Sequence, residues 1–282
     1  MTGPIVECVP NFSEGRDSRV VAAIADAMRG ARVLHTTADS DHNRSVITLA
    51  GAPEDVAAAA IAGVAEAVAR IDLSRHAGVH PRIGAADVIP FVPLRGATLA
   101  DCARLAQDVG RRIWSSLGVP VYLYGEDRRP LEQVRRNGGA DLAPDFGHGR
   151  HPTAGATAVG ARKLLVAFNI NLATADVQLA RRIARRIRAS SGGLPCVKAM
   201  GVMLASRNLA QVSMNLTDFE RTPVHAAFRA VRDAARESGV EIASSEIIGL
   251  IPRAALEGSG DWLPTVENFA SGLVLEDRLD GL

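Results

Sequence analysis

The chain predicts an α/β (α+β) protein made of two ferredoxin-like βαββαβ subdomains. Three observations carry that prediction. Apolar residues recur with strand and helix periods in the order β-α-β-β-α-β, and the second half repeats that order. Between the halves, over 127–159, proline, glycine and charge replace the apolar periodicity. The 282 residues, 47% of them hydrophobic, are ample for two cores. The expected boundaries are therefore 1–126, a connecting segment at 127–159, and 160–282.

In the first half, residues 5–8 read as a strand ended by Pro10. Asp17 or Ser18 caps a helix that turns Val20, Val21, Ile24 and Met28 inward and stops at Gly30. Strands at 32–37 and 45–50 flank the polar turn DSDHNR, which reads as solvated. Pro53 fixes the first turn of the next helix, and Glu54 and Asp55 sit at the positive end of its dipole. After a loop and a strand at 88–91, Thr98 and Asp101 make a capping box for a helix ending at Gly118. A strand at 119–124 closes this half.

In the second half, a strand at 163–169 leads to a helix at 174–188. Its Val177, Ala180, Ala184 and Ile187 face inward, and Arg181, Arg182, Arg185 and Arg188 form a solvated face. Strands at 197–204 and 211–215 make a hairpin around Arg207 and Asn208. Thr222 and Pro223 open a helix carrying Phe228 and Val231 inward, and a strand at 240–243 ends the repeat.

Composition narrows the function. Lys and Arg number 32 against 31 Asp and Glu, a net charge of +1, and aromatic residues make up 4%. Neither bulk electrostatics nor a base-stacking platform supports nucleic-acid binding. Cys8, Cys102 and Cys196 form no C-x-x-C pair and read as reduced thiols of a cytoplasmic protein. No apolar run reaches membrane-spanning length, and the N-terminus lacks a signal-peptide pattern.

The densest chemistry lies in RHAGVHPRIGAADVIPFVPL, residues 75–94. Gly78 and Pro81 exclude a helix through His76 and His80, so these side chains ride on a loop before a strand. Taken singly, His80, Arg82 and Asp87 read equally well as groups that cap or solvate the loop. A second unusual segment, GARKLLVAFNINL (160–172), sets Arg162 and Lys163 ahead of a strand-like run that ends in Asn169 and Asn171. In PNFSEGR (10–16), Asn11 and Ser13 either hold a ligand or satisfy the turn. His148 and His151 lie in a glycine-rich loop without H-E-x-x-H or phosphate-loop spacing, so neither metal nor nucleotide is expected.

Together, VECVPNFSEGR (6–16), RHAGVHPRIGAADVIPFVP (75–93), VPVYLYGE (119–126) and GARKLLVAFNINL closely resemble the formiminotransferase family. That family comprises the glutamate formimidoyltransferases and the N-terminal part of formiminotransferase-cyclodeaminase. The resemblance runs from about Val6 to about Pro252. It implies two ferredoxin-like subdomains with tetrahydrofolate, a co-substrate, in the cleft between them, and a homodimer. It also implies transfer of the formimino group from N-formimino-L-glutamate to N5 of tetrahydrofolate, a step in histidine degradation. By match within H-P-R-x-G, His80 corresponds to the family's catalytic histidine, and Asp39 and Glu126 stand where the family has acids near the site. The folate segment falls on 162–171, implicating Arg162, Lys163, Phe168, Asn169 and Asn171, with Asn11 a further contact. No cyclodeaminase portion follows, so the product is expected to pass to a separate cyclodeaminase.

The implied reaction suits these residue types. An amine adds to an amidine carbon, and glutamate leaves as an amine. A histidine with a pKa near ~6.5 can take one proton and return it. Both substrates carry carboxylates, which gives Arg44 and Arg82 anionic partners. The asparagines suit the edge of a pterin. Two rivals stay open: formyl transfer between 5-formyltetrahydrofolate and glutamate, and a non-catalytic folate- or effector-binding module.

Overall fold

The computed structural model describes residues 3–125, 128–138, 141–267 and 269–282. It divides the chain into two compact units, Met1–Lys163 with Leu282, and Leu164–Gly281.

The first unit runs β1 (Val6–Cys8), β2 (Asn11–Phe12), α1 (Ser18–Ala27), β3 (Arg32–Asp39), β4 (Arg44–Gly51), α2 (Pro53–Arg70), β5 (Ala86–Pro93), α3 (Leu99–Leu117), β6 (Val121–Tyr124), α4 (Leu131–Asn137) and β7 (Thr157–Ala161). β1 and β2 act as one interrupted strand, since both pair antiparallel with β4 and β5. β3 flanks β4 on one side, and β7 and β6 extend the sheet in parallel beyond β5. The expected capping box is present at Thr98 and Asp101, and Gly118 ends α3 in the left-handed region at φ 66°. Helices α1, α2 and α3 cover one face of the sheet, where Ile24, Ile47, Leu49, Val64, Phe91 and Ile113 form the core. Strand alternation sends Asn11 and Arg44 to the opposite face, and a register irregularity in β5 between Ala86 and Val88 lets Asp87 join them there, beside a smaller cluster of Val88, Tyr122, Tyr124 and Val134.

The segment 127–159, expected as a connection, is instead largely part of this unit. α4 packs Val134 against Tyr122, and β7 inserts between β5 and β6. A central strand buried on both faces loses its alternating pattern, and the small residues TAVGA hide it further. The size limit is steric: a Cβ at Gly160 would lie 2.1 Å from the Tyr124 carbonyl oxygen. The strand expected at 163–169 begins later, at Val166.

The second unit runs β8 (Val166–Leu172), α5 (Val177–Ile187), β9 (Val197–Leu204), β10 (Leu209–Leu216), α6 (Val224–Arg236), β11 (Ile242–Ile248) and α7 (Leu275–Leu279). Its four strands are antiparallel in the order β11-β8-β10-β9. The first six elements are the predicted β-α-β-β-α-β. α5 and α6 cover one face, with Ile183, Phe228 and Val231 packed on Phe168, Ile170 and Leu172, and Trp262 completing the core. Arg181, Arg182 and Arg185 face solvent as expected. No helix among the described residues is long and apolar enough to cross a membrane.

Candidate functional site

In the first unit, three loops are sewn together around His80. Loop 13–16 meets turn 39–44 so closely that a Cβ on Gly15 would lie 2.2 Å from the Asp39 carbonyl oxygen. Asn43 adopts the left-handed conformation at φ 47°, which asparagine tolerates better than most residues. Its Oδ1 accepts from the Gly15 N–H at 3.0 Å, and its Nδ2 donates to the Ala77 carbonyl at 3.0 Å. Arg82 closes the seam. Its Nη1 donates to the Asn43 carbonyl at 3.0 Å, and its Nη2 donates to those of His42 and His80, both at 2.9 Å. The guanidinium expected to meet a substrate carboxylate is thus spent on the loops' own backbone.

Beneath the loops lies a buried ion triad. The Asp87 Oδ2 accepts from Arg44 at 2.8 Å and from Arg135 at 2.6 Å, and its Oδ1 accepts from the Ile83 N–H at 2.8 Å. Burial alone would raise its pKa, but Arg135 and Arg44 outweigh that and hold the carboxyl well below its ordinary range. Burial also brings Arg44 down to about 10, against the pull of Asp87. The Arg44 Nε donates to Asn11 Oδ1 at 3.0 Å, and Asn11 Nδ2 donates to the Val9 carbonyl at 2.7 Å. Asn11 and Arg44 therefore belong to one fixed network.

His80 is half-buried above this triad. Its Nδ1 lies 2.7 Å from the Pro81 carbonyl oxygen. A carbonyl only accepts, so Nδ1 carries the proton and Nε2 keeps a lone pair. Burial lowers the pKa of the ring well below 6.5, and Arg44 and Arg135 push the same way. A neutral imidazole with one free lone pair is a general base at neutral pH.

Asp39 does not reach His80 directly. Its Oδ1 accepts from the His42 N–H at 2.7 Å and stands 3.6 Å from His42 Nδ1. The turn read as solvated in fact buries His42 and Asn43, to 7% and 5% exposure. Glu126 lies outside the described residues. Arg162 and Lys163 end the first unit. Arg162 donates to the Lys163 carbonyl at 3.0 Å and bonds the buried Tyr124, whose hydroxyl burial pushes up to about 12.

In the second unit, β8 alternates. Phe168 points into the core, edge-on to Trp262 at 5.3 Å, which removes it from any ligand-facing set. Asn169 and Asn171 take the face away from the helices. Asn171 Nδ2 donates to Ser244 Oγ and Glu246 Oε1, both at 3.0 Å, and its Oδ1 accepts from Gln211 Nε2 at 2.9 Å. Arg207 Nη1 donates to Glu246 Oε1 at 3.2 Å. The buried Gln211 Oε1 has no hydrogen-bond partner among the described residues.

Sequence reasoning missed Arg135, His42, Gln211 and Glu246. For Arg135 the one available signal was the short helical pattern LEQVRRN inside a stretch read as a connection. The other loop histidines do other things. His148 packs edge-on to Trp114 at 5.3 Å, and His151 Nδ1 accepts from the Ala154 N–H at 3.0 Å. Among the described residues, no three His, Cys, Asp or Glu side chains group as a metal site.

Comparison with known proteins gives a consistent picture. The formiminotransferase domain N-terminal subdomain matches residues 5–162, and the formiminotransferase domain matches residues 167–277. The interval between the two matches holds the division between the units after Lys163. The chain is 42% identical to a glutamate formimidoyltransferase from Streptococcus pyogenes serotype M1, over 98% of this chain and 99% of the relative. It is 41% identical to one from Thermoplasma acidophilum, over 98% of this chain and 97% of the relative. It is 44% identical to a formimidoyltransferase-cyclodeaminase from Sus scrofa, over 94% of this chain but 53% of the relative.

Proposed function

The chain belongs to the formiminotransferase family, and from that premise we propose that it transfers the formimino group of N-formimino-L-glutamate to N5 of tetrahydrofolate. The observation that carries the reading is His80, held neutral with its Nε2 lone pair free beside two arginines. N5 adds to the amidine carbon, forming the new C–N bond and a tetrahedral intermediate. His80 Nε2 takes the proton from N5 and returns it to the glutamate nitrogen. The old C–N bond then breaks, and glutamate leaves as an amine. Preset groups that match each proton transfer suit this exchange.

Asn169 and Asn171 are the proposed contacts for the pterin edge, with Arg162 and Lys163 near the carboxylates of its glutamate tail. Arg44 and Arg82, already engaged within the protein, act on the substrates through their field. Tetrahydrofolate is the co-substrate, the setting is the cytoplasm, the working form is a homodimer, and a separate cyclodeaminase consumes the product.

Purified protein given tetrahydrofolate and N-formimino-L-glutamate should release glutamate without added metal or nucleotide. A parallel reaction with 5-formyltetrahydrofolate and glutamate tests the formyl alternative. Faster formyl transfer would move the donor assignment to that chemistry. Folate binding without turnover of either donor would leave a binding module.

A further inference from the structure

We propose that His42 is a positioning residue for this reaction, coupling the Asp39 carboxylate to the His80 imidazole. The proposal rests on the role given to His80 above, but it concerns a side chain that no comparison assigns. In the sequence, His42 sits in the run DSDHNR, whose mixed charge suggests a solvated turn. The structure buries it to 7% exposure. An imidazole taken out of water is costly unless its nitrogens are bonded.

One nitrogen faces a carboxylate, at a distance just beyond hydrogen-bond length. Asp39 Oδ1 lies 3.6 Å from Nδ1 and also accepts the backbone N–H of His42 at 2.7 Å. The His42 carbonyl is held from the other side by Arg82 Nη2 at 2.9 Å. The main chain at His42 is therefore held from both sides, with the ring packed between Asp39 and His80. A carboxylate beside Nδ1 favours the proton on that nitrogen and a lone pair on Nε2.

The other nitrogen is the unusual one. His42 Nε2 is buried and meets no hydrogen-bond partner among the described residues. An unmade hydrogen bond of this kind is destabilising, and a phenyl ring would fill the same space without that cost. The ring bearing it stands edge-on to His80, with centroids 6.2 Å apart and planes at 79°. The polar ring is thus kept where only its chemistry distinguishes it from a hydrocarbon.

The charges around the pair supply the reason. His80 feels Arg44 and Arg135, with Asp87 opposing them from below. When His80 takes the N5 proton it becomes a cation next to two others. Asp39 faces His42, so a polarised His42 carries that negative charge toward His80 as the proton arrives. The effect is electrostatic and orienting, with no proton passed to Asp39.

The test compares His42→Phe, which keeps the shape and removes both nitrogens, with His42→Gln, whose amide nitrogen reaches toward the Nε2 position. Asp39→Asn and the double variant complete a cycle. Formimino transfer by His42→Phe should fall in kcat by about 10–100-fold, the range seen when a partner orienting a functional ring is lost. KM for both substrates should stay near wild type, His42→Gln should recover much of the rate, and Asp39→Asn should add little in the His42→Phe background. NMR titration of the His80 ring should show its midpoint moving down in His42→Phe and in Asp39→Asn. Wild-type kcat and an unmoved His80 titration in His42→Phe would overturn the proposal. If that variant does not fold, an unmoved His80 titration in Asp39→Asn overturns it equally. Absence of formimino transfer by the unaltered protein would refute the reaction assigned above, while the NMR comparison would still decide the coupling.

Discussion

The two units share a strand plan and put opposite kinds of polarity on it. In each, four antiparallel strands place the first and third at the centre, and helices cover one face. On the other face the first unit buries full charges, with Asp87 between Arg44 and Arg135. The second unit lays out amides, with Asn171 and Gln211 bonded to each other and to Glu246. Buried charges add to burial in shifting the pKa of a neighbouring ring, as Arg44 and Arg135 do at His80. A lattice of fixed amides has little field but strong direction, which suits recognition of a donor and acceptor pattern. The same plan thus carries buried charge in one unit and fixed amides in the other.

The largest effect that sharpens this contrast is kinetic. His80→Ala should lower kcat by about 10²–10⁴-fold, the usual cost of a lost general acid–base group, with tetrahydrofolate affinity nearly unchanged. Asn171→Ala should do the reverse, raising KM for tetrahydrofolate while kcat at saturation stays close to wild type. Steady-state kinetics on both variants decide it. If His80→Ala turns over normally, the charged face does no proton chemistry and the contrast fails.

A second effect is thermodynamic and separates the faces by charge. Asp87→Asn leaves two buried guanidinium groups without their counter-charge, which should cost about 3–5 kcal/mol in urea unfolding. The pH dependence has a definite sign. The folded pKa of Asp87 lies below the ordinary carboxyl value of 3.8, so its stabilising contribution is complete above the unfolded value. That contribution is lost as pH falls from about 4 toward the lower folded value. Asp87→Asn should therefore flatten the acid limb of stability.

The sequence was easiest to read where one element makes its own signal. The second unit's six elements follow from alternation, helix period and caps, and the Thr98–Asp101 capping box appears as its four residues foretold. Legibility ended where partners come from afar. Asp87 meets Arg44 and Arg135 across 43 and 48 residues, and no local pattern links them. Arg135 was hidden further because α4 has 7 residues, too few for a periodic signature. The turn at 39–44 misled for a related reason. Its polarity is real, but Arg82 from a neighbouring loop satisfies the carbonyls of His42 and Asn43, and the Asn43 side chain ties the turn to Gly15 and Ala77. Resemblance singles out His80, whereas the burial that lowers its pKa, with Arg44 and Arg135 pushing the same way, comes only with the fold.

The smallest predicted effect tests which face of β8 is which. Resemblance placed Phe168 in the folate segment with Asn169 and Asn171, yet strand alternation divides them. Val166, Phe168, Ile170 and Leu172 share the helix-covered core, and the Phe168 ring lies 5.3 Å from Trp262 and 6.5 Å from Phe228. Phe168→Leu keeps an apolar side chain of smaller volume in that space. It should cost about 1–3 kcal/mol of stability, a typical core penalty, and lower the melting temperature accordingly. Tetrahydrofolate affinity measured well below the transition should stay within about twofold, because the ring lies on the side of the strand away from the asparagines. A variant with an unchanged melting temperature and a folate affinity weakened tenfold would reverse the assignment. The amide-lined face would then no longer be the one that reads the ligand.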